Sequence, residues 1–123
     1  ELDLSADLGL DAESAESSDH ELALALRARV ASLHRRHVFM PGDLVCWKPG
    51  LCNRRVPRPG RPAVVVEVLH EPVLDDEKDS GGPYFREPLD IVLGMFIEHG
   101  RHRGDFITWH FDSRRFQPWS PTE

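Results

Sequence analysis

The chain of 123 residues is poor in cysteine, methionine and tyrosine, with two, two and one of each, and no apolar run in it approaches the length of a membrane span. Cys46 and Cys52 are too few for a disulfide scaffold, and their spacing matches no paired zinc-ligand pattern. A membrane helix needs ~18 apolar residues, which this sequence never offers. No basic segment followed by an apolar one stands near the start, so no signal peptide is expected. Also missing are a Ser or Cys nucleophile on an elbow motif and carboxylates paired at a fixed spacing. The expectation is a cytoplasmic, non-catalytic protein with no membrane partner, no metal and no cofactor.

Positive and negative charge are segregated along the chain. The net charge of −6 conceals this segregation. Residues 1–21 carry eight acids and no Lys or Arg, whereas residues 27–61 carry nine Lys/Arg and the single acid Asp43. Residues 67–90 return to eight acids against Lys78 and Arg86. A wholly basic nucleic-acid binder is excluded by this balance, and a local basic patch on an acidic protein is not.

Residues 1–17, ELDLSADLGLDAESAES, lack aromatics and are rich in acids, Ser and Ala, a composition that predicts a disordered acidic arm. Its spaced leucines Leu2, Leu4, Leu8 and Leu10 would serve as a docking motif if a partner reads them. Over residues 18–38 the pattern predicts a helix. Ser18 and Glu21 have the form of a capping box, and Leu22, Leu26, Val30 and Leu33 recur at helical spacing. The helix is expected to pack on the following sheet, with self-association through the same stripe as the alternative. Pro41 and Gly42 stop it.

From 41 to 119 the period becomes two, and the pattern predicts five strands: Leu44–Lys48, Ala63–Leu69, Leu89–Glu98, Asp105–Phe111 and Phe116–Trp119. A long acidic loop occupies 70–88, and DSRR forms a single helical turn before the last strand. Short strands in this order describe a mainly β fold, a small SH3-like barrel.

Several constellations invite a chemical reading. Asp75, Glu77 and Asp79 alternate as in a calcium loop, but Ser80 and Arg86 occupy the positions where that loop needs Gly and Glu. His34 and His37 form an HxxH near the cysteines without completing a four-ligand set. His99, His102 and His110 gather around the last hairpin, and a His beside Thr108 has the form of a general base. The strongest candidate is the Pro/Arg loop. Lys48, Arg54, Arg55, Arg58 and Arg61 fall within it while four prolines stiffen its backbone. Trp47, Tyr84, Trp109 and Trp119 would complete an interaction face by stacking or by cradling cations. The expected partner is an acidic protein surface or nucleic acid. The competing reading is internal: the basic loop and the acidic 70–90 loop neutralise each other.

The residues Gly42, Asp43, Val45, Trp47, Gly60, Pro62, Ala63 and Val64–Val66 resemble the opening of the MazF/PemK-type toxins, SH3-like barrels that cleave RNA. That resemblance implies an RNA-cleaving activity in which Arg61 stabilises an anion, with His70 or His110 as acid/base. The chain departs from the pattern in its loop, NRRVPRP, and after its second strand, where no Ser or Thr occurs before Ser80. The same rhythm looks like Tudor/PWWP-type modules, which imply binding without chemistry. A third reading makes the acidic arm and acidic loop the active surfaces, mimicking a nucleic acid toward a basic partner.

Overall fold

A computed structural model describes residues 19–121, which fall into two units dividing between Arg35 and Arg36. The arm expected over 1–17 and the Ser18 cap lie outside the described residues. Helix α1 spans Asp19–His34, with Asp19 and Glu21 in its first turn and His34 in its last, the order a helix dipole favours. At about 100° per residue, Leu22, Leu26, Val30 and Leu33 lie within about 80° of one another, but Leu24 stands on the opposite side. The apolar residues therefore do not form one stripe alone. No residue of α1 is buried, and Leu24, Leu26 and Val30 are each more than half exposed.

The second unit is a single antiparallel sheet. Its strands are β1 (Leu44–Trp47), β2 (Ala63–Leu74), β3 (Pro88–Phe96), β4 (Phe106–Phe111) and β5 (Phe116–Pro118), in the order β4-β3-β2-β1-β5. A one-turn 3-10 helix, Ser113–Arg115, precedes β5, and the Asp112 carboxylate caps it by accepting from the Arg114 amide. Five strands and this turn match the expected pattern, but closure into a barrel does not occur. β4 and β5 form the two edges of an open sheet. All three residues of β5 are committed to β1, through Val45–Pro118, Cys46–Gln117 and Trp47–Phe116, and Pro118 has no N–H to offer another strand. β2 also runs further than its sequence indicates. Beyond an irregularity after Val68, Val73 and Leu74 pair with Leu89 and Pro88, so the acidic connection starts only at Asp75.

Alternation fills the core. Val45, Trp47, Ala63, Val65, Ile91, Leu93, Met95, Phe111 and Phe116 point inward and pack with Phe39. Trp47 stacks on Phe116 at 4.3 Å between ring centres and meets the edge of Phe111 at 5.7 Å. Burying each such side chain contributes about 1.5–3 kcal/mol. β3 is covered on both faces: Val92 and Gly94, on its outer side, are buried as well. The ring of Phe106 lies across Gly94 so closely that a Cβ there would stand 2.2 Å from the ring tip. The β3–β4 connection closes with a bulge in which Gly104 (φ 93°) and Asp105 both oppose Ile97. The Gly104 amide donates to the Ile97 carbonyl and the Ile97 amide to that of Asp105.

Candidate functional site

The Pro/Arg loop between β1 and β2 is held from below by two indoles. Trp47 donates its ring N–H to the Pro57 carbonyl, and Trp119 donates to the Gly60 carbonyl at 3.2 Å. Between these anchors, Arg58-Pro59-Gly60-Arg61 forms a turn closed by an Arg61 N–H to Arg58 carbonyl bond of 3.0 Å. Proline second and a positive-φ glycine third (Gly60, φ 83°) are what such a turn requires. Trp47 is thus in the core, 4% exposed, and is no part of an outer contact face. Its effect on the loop is to fix where the arginines emerge. Lys48 is buried too.

The five basic residues of the loop then part ways. Arg54 turns inward, donating to Glu87 at 2.6 Å and to Asp75 at 3.1 Å, with its guanidinium 4.1 Å above the Tyr84 ring. Glu87 is buried and also accepts from Arg115 at 2.7 Å and from the Asn53 amide at 3.1 Å. Burial works against the charge on Arg54, but the hydrogen bonds and charge of Glu87 and Asp75 outweigh it and raise its pKa. The internal neutralisation considered from the sequence is therefore present at Arg54, and it occupies Tyr84 as well. Arg55, Arg58 and Arg61 stay exposed.

These three line a groove of about 420 Å³ between the loop and the β3–β4 hairpin. Its floor is apolar, built from Val56, Pro57, Met95, Phe96, Ile97 and Ile107. A second recess of about 400 Å³ shares Arg61, Phe96 and Glu98 and extends to Arg103 and Gly104. Glu98 is the one carboxylate among the lining residues. It accepts from Arg61 Nε at 2.9 Å, lies 3.8 Å from Arg58, and through these cations is held below the usual carboxylate range. Arg58 also reaches His99 Nε2 at 3.1 Å, where the ring nitrogen must accept because a guanidinium only donates. Arg55 forms no ion pair among the described residues.

Phe96, Glu98, His99 and Arg103 do not stand out in the sequence as parts of one site. Phe96 is 65% exposed because it falls in the phase opposite to inward Leu89, Ile91, Leu93 and Met95, and an aromatic in that outward phase is the signal the sequence offers. Trp109, expected on the interaction face, sits on β4 against Phe111 and is 46% exposed, beyond the groove's lining. His70 and His110 are both exposed and neither lines the groove. Cys46 and Cys52 are both free thiols, and burial pushes the Cys52 thiol pKa up. Among the described residues no three His, Cys, Asp or Glu side chains gather as metal ligands, and no helix is long and apolar enough to cross a membrane. No family model, curated protein or solved structure matches the chain.

Proposed function

We propose that the protein is a non-catalytic binding module of SH3-like design that captures an anionic macromolecule in the groove beside its Pro/Arg loop. The strand order and the helical turn before β5 support the SH3-like reading, with the sheet left open. The observation that carries the function is the division of labour within the loop. Arg54 is spent on Glu87, whereas Arg55, Arg58 and Arg61 surround an apolar groove in which Glu98 is the one carboxylate among the described lining residues. Two indole hydrogen bonds and the prolines fix the backbone, so little freedom is lost when the arginines engage an anion. The classes of partner that fit are an acidic protein surface and a nucleic-acid backbone.

Fluorescence anisotropy with labelled polyglutamate and a labelled single-stranded oligonucleotide tests this. Binding of at least one should weaken steeply with added salt. Replacing Arg55, Arg58 and Arg61 together by alanine should weaken it about tenfold or more, since each solvent-exposed guanidinium–anion contact is worth about 0.5 kcal/mol. Unchanged affinity in that variant, or no binding of either polyanion at low ionic strength, overturns the proposal.

A further inference from the structure

The two edges of the sheet are unequal. β5 is three residues long and contains proline, the means by which edge strands are ordinarily kept from pairing. β4, FITWHF, has none of these: no proline, no lysine and no bulge interrupts its six consecutive pairs with β3. The hydrogen bonds at Ile97 and Asp105 set the phase of this ladder. In an antiparallel pair, hydrogen-bonded and non-hydrogen-bonded positions alternate. Ile107, Trp109 and Phe111 therefore direct their backbone groups to β3, while Phe106, Thr108 and His110 direct N–H and C=O away from the sheet. Those outward groups repeat as donor and acceptor at the spacing that another extended backbone matches. The same edge meets the groove at Ile107, beside Arg55, Arg58 and Arg61, and the adjoining recess adds Arg103. Four arginines line these two recesses with one carboxylate, Glu98, among the described lining residues.

Resting on the groove proposed above, we infer that β4 receives an extended segment of another protein as a sixth strand, with acidic residues of that segment entering the groove. Antiparallel addition is favoured, as in the rest of the sheet, and it brings the C-terminal end of the segment to the Phe106 end of β4. Half-exposed Trp109 offers contact area to an apolar residue further along. A nucleic acid could satisfy the arginines but has no amide array for Phe106, Thr108 and His110.

The probe is a labelled peptide in which Val and Thr alternate and a run of Glu closes the C-terminal end, titrated into the full chain. It should bind, and the same peptide with alternate amides N-methylated should bind about tenfold weaker or worse. Thr108→Pro removes an outward donor without touching the β3 ladder and should weaken the peptide equally, with its thermal melt as the folding control. Moving the Glu run to the N-terminal end should also cost affinity. Equal binding of the methylated peptide, or no binding of either peptide, overturns strand addition. If the triple arginine variant alone abolishes binding, the anion groove stands and the strand does not. Preference for a single-stranded oligonucleotide that the peptide fails to displace also overturns it. So does a dimer of the chain alone that Thr108→Pro dissociates, since a second copy would then cover the edge.

Discussion

Gly94 and Phe106 form a pair in which one residue's missing side chain is the other's seat. They stand diagonally opposite across β3 and β4, and the ring closes over the glycine. Gly94→Ala should cost about 1–3 kcal/mol, because the Phe106 ring must swing away from the sheet. In the Gly94→Ala/Phe106→Ala double variant the two costs should not add, and thermal melts of the four proteins make that comparison. Glu98 is the second residue with a defined response. Its folded-state pKa is depressed, so its contribution is present above the ordinary glutamate value of about 4.3 and is lost as pH falls through the lower folded value. Carboxyl NMR should place its midpoint below the ordinary value, and Arg61→Ala should move the midpoint upward.

At the scale of elements, Glu87 joins three segments with no strand pairing of their own. It holds Asn53 and Arg54 of the Pro/Arg loop and Arg115 of the 3-10 helix, and it ends the acidic connection that begins at Asp75. Glu87→Gln keeps the shape and removes the charge, leaving two part-buried guanidinium groups without their shared carboxylate. A loss of about 3 kcal/mol is expected, seen as a fall in melting temperature of about 10 °C or more. The five strands were legible because alternation survives wherever one face is buried, as in Ile91, Leu93 and Met95. The far half of β2 was not. Residues 70–74, HEPVL, lie mostly exposed and contain Pro72, and they extend the strand only because Leu89 and Pro88 come alongside. Closure was illegible for a similar reason, since the period of a strand says nothing of whether its edge finds a neighbour. The site divides the same way. Charge density pointed to the loop, but Arg54 and Arg55 are adjacent and chemically identical, and the positions of Glu87, Asp75 and Tyr84 separate their fates.

For the molecule as a whole, net charge is a poor guide to what it meets. A chain of −6 still gathers Arg55, Arg58, Arg61 and Arg103 around two neighbouring recesses, and a Debye length of about 10 Å at 0.1 M salt lets that patch act apart from distant acids. At low ionic strength the protein should bind polyanions despite its sign. The triple arginine variant, at −9 by loss of three charges from −6, should associate more slowly as well as more weakly, which stopped-flow anisotropy would register. The outer edge of β4, on which no strand lies among the described residues, also sets a clock. Amides of Phe106, Thr108 and His110 should exchange with deuterium much faster than those of Ile107, Trp109 and Phe111, so that fast and slow sites alternate residue by residue along one strand. That beat is a fingerprint of an edge left open, and a strand laid beside it would silence the fast half.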